Sequence, residues 1–333
     1  MNISVKDVYR IGFINARDEE KIDYIKEISE LRKEKNAIIL AHYYQEGEIQ
    51  DIADFVGDSL ALSQKAAENN ADIIVFAGVH FMAETAKILS PKKKVLMPDM
   101  NAGCSLADSC PPKDFENFKM KYPDHKVISY VNTSAEIKAL TDVICTSSNA
   151  EQIVDSFSKN EKLIFAPDRN LGNYINSKTG RNMILWDGAC HVHEEFSLEK
   201  ILELKNENQD AKILAHPECE KQILMVADFI GSTSALLKFS GKDDSSKYIV
   251  ATESGIIHQM KKENTNKVFI PAPPKDSTCA CNDCAYMKLI TLKKIYYTLK
   301  YEIPEISIDE EIRKKAELPI KRMLEISKKL GLV

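Results

Sequence analysis

The feature that most constrains the fold is a short pattern that occurs three times along the chain. In each copy, one apolar run of strand length ends in polar or aromatic residues, and a second ends in a small turn that carries a hydroxyl. The first run leads to His42-Tyr43-Tyr44, Tyr130-Val131-Asn132 and His216-Pro217-Glu218, and the second leads to Gly57-Asp58-Ser59, Cys145-Thr146-Ser147 and Gly231-Ser232-Thr233. Short continuous apolar runs are typical of parallel strands buried on both faces. The repeat therefore predicts an α/β fold of three αβα units, each with helices on both faces of a parallel sheet.

Each copy continues through a third and a fourth apolar run to a cysteine. These cysteines are Cys104, Cys190 and Cys284, and they are 86 and 94 residues apart. That period is far longer than a solenoid repeat and suits small βα domains. We expect a first unit over residues 1–106 with an N-terminal helix, a second over 107–193 and a third over 194–284. The helices of residues 285–333 are expected to pack on the first unit.

Two segments lie outside the repeat. Residues 6–35 are charged and have isoleucine and leucine every third residue, which predicts an outer helix. Residues 290–333 alternate basic and apolar residues, which predicts two helices that are broken at Pro304.

Composition narrows the class of protein. The chain has 333 residues, 44% hydrophobic, and a formal net charge of -5, which gives no electrostatic case for binding nucleic acid or an anionic membrane. Neither a signal-peptide core nor an apolar run long enough to span a bilayer occurs, so we expect a cytoplasmic protein. In a reducing compartment, the eight cysteines fit metal ligands, catalytic groups or buried small residues better than disulfides.

The three cysteines are expected to meet at one site. Ligands of open parallel sheets bind beyond the carboxyl ends of the strands, where all the polar residues of the repeat lie. The alternative, that each cysteine only fills space in its own unit, is less favoured because they recur at equivalent positions. Structural zinc requires four ligands, whereas three thiolates on an iron-sulfur cluster would leave one iron open to act as a Lewis acid.

Several longer segments carry a family resemblance. They are residues 42–45, 48–51, 56–59, 76–87 and 102–105 in the first unit, then 186–188 with Cys190 and 193–194, and finally 215–219 and 229–234. In these segments the chain closely resembles the quinolinate synthase family, the A protein of bacterial NAD biosynthesis. The resemblance covers about residues 37 to 290, in three separated blocks. The resemblance implies three αβα domains in a pseudo-threefold arrangement around one [4Fe-4S] cluster. It also implies condensation of iminoaspartate with dihydroxyacetone phosphate to quinolinate, with release of phosphate and two waters, and functional coupling to an enzyme that produces iminoaspartate.

The resemblance also assigns residues. The cluster ligands of the family correspond to Cys104, Cys190 and Cys284. Its substrate-binding positions correspond to His42, Ser59, Tyr130, Val131, Asn132, Ser147, His216, Pro217, Glu218 and Thr233. The family often has CxxCxxC near its C-terminus, whereas this chain has Cys279-x-Cys281-x-x-Cys284. Met287 follows Cys284 at the spacing that the family shows, which favours Cys284 as the third cluster ligand. Cys281 is the alternative ligand.

The residue types suit such a reaction. Both substrates are anions, yet the repeats contain almost no arginine, so helix N-termini near Ser59, Ser147 and Thr233 are expected to hold them. The alternative is that each of these hydroxyls is only a helix cap. Cyclisation with loss of water requires proton transfer, for which the candidates are Tyr44, His193, Glu218, His42 and His216.

The same residues are compatible with two different functions. The protein could be a different cluster-dependent hydro-lyase that uses the open iron on another hydroxy acid. It could also be a non-enzymatic iron-sulfur sensor, for which a DNA-binding helix pair or basic face would be expected and is not apparent. In each case Cys110, Cys145 and Cys219 are expected to pack without binding metal.

Overall fold

The computed structural model describes residues 4–17, 21–276 and 283–332, and within them it contains three separate four-stranded sheets. The strands are β1 (Ala37–His42), β2 (Phe55–Gly57), β3 (Ile73–Ala77), β4 (Lys94–Leu96), β5 (Lys126–Tyr130), β6 (Val143–Cys145), β7 (Leu163–Ala166), β8 (Ile184–Leu185), β9 (Lys212–Ala215), β10 (Phe229–Ile230), β11 (Lys247–Ala251) and β12 (Val268–Pro271). The sheet orders are β2-β1-β3-β4, β6-β5-β7-β8 and β10-β9-β11-β12, and every pairing is parallel. The three sheets thus have one topology, which confirms the predicted α/β class and its threefold repetition.

Helices cover the faces of the sheets. Those of the first unit are α1 (Val5–Ile11), α2 (Tyr24–Glu34), α3 (Gly47–Ile52), α4 (Ser59–Ala67) and α5 (His80–Leu89). Next come α6 (Ser105–Asp108), α7 (Pro112–Met120), α8 (Ala135–Ala139), α9 (Ala150–Asp155) and α10 (Arg169–Thr179). Those that follow are α11 (His191–Glu194), α12 (Leu198–Glu207), α13 (Lys221–Val226), α14 (Thr233–Lys242), α15 (Ile256–Glu263), α16 (Leu292–Tyr301) and α17 (Glu310–Lys329). A single 3-10 turn, Met287–Leu289, precedes α16.

Strand register defines which residues of the three units are equivalent. Leu40 pairs with Phe55, Ile128 with Val143 and Leu214 with Phe229. It follows that His42, Tyr130 and His216 are equivalent, as are Ser59, Ser147 and Thr233. An aspartate that precedes the second strand repeats too: Asp54, Asp142 and Asp228 each accept a backbone N–H from the first strand, at 2.8, 2.8 and 2.7 Å. This carboxylate fixes the spacing of the two strands whose ends carry the polar residues.

The N-terminal segment differs from the single helix that we expected. Helix α1 ends at Gly12, whose φ of +91° is left-handed and whose N–H bonds to the carbonyl of Val8. A glycine adopts this conformation without strain, and it ends the helix at that point. Helix α2 begins only at Tyr24, after an N-cap at Asp23.

The C-terminal helices divide between two units. They flank Pro304, as predicted: α16 ends at Tyr301, where the following Glu302 is left-handed with a φ of +57°, and α17 begins at Glu310. Helix α16 packs on α2 and β3 of the first unit, whereas α17 packs mainly on α8 and β6 of the second and also reaches α5. Ala316, Ile320 and Met323 of α17 are fully buried, so its apolar stripe closes a core that is continuous across the first two units. The exact domain boundaries stay a prediction.

The third sheet has its own apolar clusters, one on each face. Among the described residues, no helix is both long enough and apolar enough to cross a bilayer.

Candidate active site

One cavity lies beyond the carboxyl ends of all three sheets. Thirteen of the predicted site residues line it: His42, Tyr44, Ser59, Cys104, Tyr130, Asn132, Ser147, Cys190, His193, His216, Glu218, Thr233 and Cys284. The structure thus brings together side chains that are up to 242 positions apart in the chain. Val131 and Pro217 are buried but lie outside this lining set. They are the middle residues of their triplets, and successive side chains of an extended segment point to opposite sides.

A polar contact joins the three units beside the cavity. The Ser148 hydroxyl in the second unit donates to Asp58 Oδ2 in the first at 2.8 Å. It also lies 2.8 Å from Ser232 Oγ in the third. Asp58 and Ser232 occupy equivalent positions in their repeats, and Ser148 lies two residues after the equivalent Thr146, so the corresponding turns of the three units meet here.

The N-caps of α4 and α14 lie one residue before Ser59 and Thr233, the two hydroxyls for which capping is the alternative role. Asp58 accepts the N–H of Ala61 at 3.0 Å, and Ser232 accepts that of Ala235 at 3.3 Å. Ser59 and Thr233 are therefore the first residues of α4 and α14, and the capping role is wrong for both. Ser147 does not cap α9, whose N-cap residue is Asn149. All three hydroxyls line the cavity instead.

Two equivalent histidines are held neutral. His42 Nδ1 accepts the N–H of Tyr44 at 3.1 Å, and His216 Nδ1 accepts that of Glu218 at 3.3 Å, which leaves the proton of each neutral ring on Nε2. His216 Nε2 lies 3.2 Å from Ser147 Oγ. Burial lowers the pKa of His42 to about 4 and that of His216 to about 3, in spite of the nearby carboxylate of Glu218. Both rings therefore act as neutral hydrogen-bond donors near pH 7.

A chain of hydrogen bonds crosses the cavity wall. The Tyr44 hydroxyl lies 3.0 Å from Thr233 Oγ1 and 2.7 Å from Thr252 Oγ1, and Thr252 Oγ1 lies 3.0 Å from His193 Nε2. The other ring nitrogen, His193 Nδ1, is 3.3 Å from Glu218 Oε2. A proton on Nδ1 beside this carboxylate leaves Nε2 to accept from the Thr252 hydroxyl, which in turn accepts from Tyr44. The hydrogen bonds thus connect a phenol to an imidazole through a threonine, and a 3.3 Å ion-pair contact continues from the imidazole to the Glu218 carboxylate.

Glu218 is the electrostatic centre of this wall. Burial raises the pKa of its carboxyl, but the facing His193 ring and the Tyr130 hydroxyl, which can donate to its oxygens, outweigh burial and lower that pKa. Tyr130 donates to Glu218 Oε1 at 2.5 Å. Burial, reinforced by the charge of Glu218, raises the pKa of both Tyr44 and Tyr130 well above the ordinary value. The site therefore holds one ionised carboxylate between two protonated phenols.

The three predicted cysteine ligands share a local geometry. Cys104 and Cys190 are the residues before α6 and α11, and Cys284 precedes the 3-10 turn at Met287. In each case, backbone N–H groups two or three residues later face the sulfur: Leu106 and Ala107 for Cys104, His193 for Cys190, Tyr286 and Met287 for Cys284. Such N–H groups stabilise a thiolate.

Burial opposes the ionisation of these thiols. It raises the pKa of Cys104 to about 12 and raises that of Cys190 and Cys284 as well. Three partly buried thiols in N–H-rich turns that share one cavity fit a cationic metal group, since a bound metal deprotonates the thiol that coordinates it. Cys190 Sγ also lies with ligand atoms of His193 and Glu218 in a set whose members are all within 4.8 Å of one another, which could hold a single metal ion.

The Cys284 turn is held from the third unit. Glu253 is completely buried, and its Oε1 accepts the N–H of Cys284 at 3.1 Å. Lys288 Nζ lies 3.1 Å from the same carboxylate oxygen, and Glu253 Oε2 accepts the N–H of Gly255 at 2.7 Å. Cys281, the alternative ligand, and Cys279 lie outside the described residues.

Comparisons of the sequence with known proteins identify the family. Residues 26–325 match the sequence profile of the family described as quinolinate synthetase A protein. The chain is 61% identical over 305 residues to the quinolinate synthase of Microcystis aeruginosa, which covers 92% of this chain and 95% of the relative. It is 58% identical over 323 residues to the quinolinate synthase of Gloeothece citriformis, a match that covers 95% of this chain and 100% of the relative. It is also 58% identical over 308 residues to the quinolinate synthase of Chloroherpeton thalassium, a match that covers 92% of this chain and 96% of the relative. This chain belongs to the quinolinate synthase family. It is therefore an enzyme of that kind, and the resemblance recognised in its sequence is confirmed.

In this quinolinate synthase family member, sequence reasoning missed two buried polar residues, Thr252 and Glu253. They come directly after β11, the third strand of their unit, which ends at Ala251. The rule that identified the ends of the first and second strands applies equally to the third, so the signal was present. The cavity also has an apolar side, formed by Val79, Phe81 and Met82, that no polar motif could indicate.

Proposed function

We propose that this protein condenses iminoaspartate with dihydroxyacetone phosphate to quinolinate, phosphate and two waters, in the synthesis of NAD. The observation that carries this proposal is one cavity that is lined by three partly buried cysteines and by Tyr44, His193 and Glu218, which Thr252 helps to connect. Membership of the quinolinate synthase family supports it.

We propose that Cys104, Cys190 and Cys284 would hold one [4Fe-4S] cluster, because each comes from a different unit and each sulfur faces N–H groups of its own turn. When bound through three thiolates, the cluster would supply an iron without a protein ligand as a Lewis acid. Glu253 would fix the turn that carries Cys284. His193 and Glu218 would stay free for proton transfer.

Both substrates carry negative charge, yet none of the described residues that line the cavity is a lysine or arginine. The N-terminal turns of α4 and α14 open into the cavity at Ser59 and Thr233, where backbone N–H groups lack helical partners. His216 adds a neutral Nε2–H near Ser147. We propose that phosphate and carboxylates bind to these dipoles, which attract anions without a fixed cation.

Loss of water requires an acid for the leaving hydroxyl and a base for a carbon-bound or nitrogen-bound proton. Tyr44 is the proposed acid, since its raised pKa keeps the phenol protonated. His193, whose Nε2 is an acceptor in this arrangement, would take up the substrate proton as the base, and Thr252 would then relay a proton from Nε2 to the Tyr44 phenolate across contacts of 3.0 and 2.7 Å. Glu218, ionised and held by Tyr130, would stabilise the imidazolium that forms when His193 is protonated.

One substrate also suggests a partner. Iminoaspartate is an imine, and imines hydrolyse readily in water. We therefore propose functional coupling to the enzyme that produces it, in a reducing cytoplasmic compartment where buried thiols stay available for iron.

The test is anaerobic purification, counts of iron and sulfide, and an assay for quinolinate from the two precursors. Four irons and four sulfides per chain are expected for a [4Fe-4S] cluster, with quinolinate formed. Failure to form quinolinate while the iron is retained would refute the proposed reaction and favour another cluster-dependent hydro-lyase or a sensor.

Cysteine variants test the ligands separately. Cys104→Ala, Cys190→Ala and Cys284→Ala should each lose the visible absorption of the cluster, whereas Cys110→Ala and Cys145→Ala should keep it. A single ion bound by Cys190, His193 and Glu218 would survive the loss of Cys104 or Cys284. A Cys284→Ala protein with a normal cluster would transfer the assignment to Cys281.

A further inference from the structure

Lys138 in α8 is a lysine with no exposed surface. Its Nζ donates to the carbonyl of Val131 at 2.9 Å and also to the carbonyl of Thr133. These two carbonyls flank Asn132, whose side chain lines the cavity. The ammonium therefore closes the loop that follows β5 and carries Asn132 at its tip.

The repeat supplies an independent comparison. Helices α3 and α8 begin at equivalent positions, so Gln50 in the first unit corresponds to Lys138. Gln50 Nε2 lies 3.0 and 2.8 Å from the carbonyl oxygens of Tyr43 and Gln45, and 2.9 Å from that of Gly255 in the third unit. Tyr43 and Gln45 are the counterparts of Val131 and Thr133, and they flank Tyr44. Two chemically different side chains thus make the same pair of bonds around a residue that lines the cavity.

The third unit shows whether the fold requires a hydrogen-bond donor at the position of Gln50 and Lys138. Leu224 of α13 occupies it, and it has no group that could donate to the backbone. The αβα unit therefore forms without this pair of bonds. In the first two units, the donor adds contacts to the loop that the third unit lacks.

Lys138 also contacts a second wall of the cavity. Its Nζ lies 5.4 Å from the centre of the Phe81 ring, and Phe81 lines the cavity from the first unit. Glu84, one turn further along α5, accepts the N–H of Ala135 at the start of α8 at 3.1 Å. Burial lowers the pKa of Lys138 to about 8, with Glu84 and then Glu136 acting in the opposite direction. The side chain thus links the Asn132 loop to α5 across the boundary between the two units.

We propose that Lys138 is a positioning residue that sets the orientation of Asn132 toward the substrate through the carbonyls of Val131 and Thr133. The inference rests on the proposed function for its kinetic readout. It assigns to Lys138 a hydrogen-bonding task that a glutamine can perform, because Gln50 performs it in the first unit.

The first experiment compares Lys138→Gln with Lys138→Met in the cluster-containing enzyme. A displacement of about 1 Å in a binding group can cost about 10²-fold, so Lys138→Met should lower kcat/KM by about that factor, while Lys138→Gln should restore most of it. Lys119→Met is the matched control, since Lys119 Nζ donates to the carbonyl of Leu140 outside the cavity, and it should leave kcat/KM unchanged. A Lys138→Gln enzyme as impaired as Lys138→Met would overturn the proposal.

A double-mutant cycle separates positioning from stability. In an Asn132→Ala background, Lys138→Met should lower kcat/KM by no more than about twofold, because the residue that it positions is gone. Its effect on thermal stability should be equal in both backgrounds. A full loss of kcat/KM in the Asn132→Ala background would show that Lys138 does not act through Asn132.

Hydrogen exchange gives a readout that does not depend on catalysis. Amide exchange in a peptide that spans residues 130–134 should be faster in Lys138→Met than in the wild type, and close to wild type in Lys138→Gln. Unchanged exchange in Lys138→Met would refute the loop-closing role. A wild-type enzyme that makes no quinolinate would refute the proposed function alone, since the exchange result stands without it.

Discussion

Replacing Thr252 by valine removes the central hydroxyl of the proton chain and little else. Thr252 is fully buried, and valine has nearly the same volume. The hydroxyl contacts Tyr44 at 2.7 Å and His193 at 3.0 Å, so both contacts are lost together. The Tyr44 hydroxyl keeps its contact with Thr233 at 3.0 Å, whereas His193 Nε2 loses its hydroxyl partner.

The size of the effect follows from these contacts. One buried ring nitrogen without a partner costs about 1–3 kcal/mol of folding stability, which a domain of this size tolerates. General acid–base catalysis contributes about 10²–10⁴ in rate, so turnover should fall by about that factor if the chain re-protonates Tyr44. Thr252→Ser keeps the hydroxyl and should retain most activity.

The assay is quinolinate formation at saturating substrate, with iron content measured on the same sample. Tyr44→Phe should give a similar loss, and the Tyr44→Phe, Thr252→Val double variant should be no worse than either alone, because the two residues act as one unit. Multiplicative losses in the double variant would show independent roles. Near-normal turnover in Thr252→Val with iron retained would refute the proton chain.

Three further predictions concern groups around the same cavity. Burial lowers the pKa of His42 to about 4 and that of His216 to about 3. As pH falls below about 6.5, the unfolded chain therefore binds protons at these histidines before the folded protein does. The free energy of unfolding should drop by about 1 kcal/mol per pH unit for each histidine. Urea unfolding between pH 7 and 5 checks this, and His216→Gln should flatten the dependence; an equal slope in that variant would contradict the assignment. Glu218→Gln should lower turnover by about 10²–10⁴ with iron content unchanged, and wild-type turnover would exclude Glu218 from the proton chemistry. Glu253→Ala should speed the loss of iron to a chelator by about tenfold or more. Glu253→Gln keeps an acceptor for the Cys284 N–H and should lose iron at the wild-type rate. Equal rates of iron loss in the two variants would show that Glu253 does not position the Cys284 turn.

Much of the architecture was accessible from local patterns. A parallel strand that is buried on both faces must be apolar throughout, so strands such as residues 37–41 and 163–166 can be predicted from the segment alone, without knowledge of the strands that pair with them. The order of the strands along a sheet is set by the same crossover rules in each unit, which is why one repeat in sequence became one topology in three sheets. The position of the cavity could be predicted from the sequence as well, since the polar residues at the ends of parallel strands lie at one edge of the sheet.

Side-chain partnerships depended on contacts that the sequence does not record. Both Asp58 and Ser59 are good capping residues, and only the φ and ψ of the turn decide that Asp58 is the cap and Ser59 begins the helix. The pattern of residues 6–35 is helical throughout, but the left-handed turn at Gly12 divides it.

The sequence by itself determined the three units, the edge at which their strands end and the residue types collected there, because periodicity and strand polarity are properties of a short segment. The tertiary structure decided how those residues act on one another. Thr252 becomes a bridge only when β11 is brought beside Tyr44, and Lys138 becomes the counterpart of Gln50 only when both loops are closed. Hydrogen bonds and electrostatic coupling depend on distances across the three units, and those distances exist only once the apolar faces have packed.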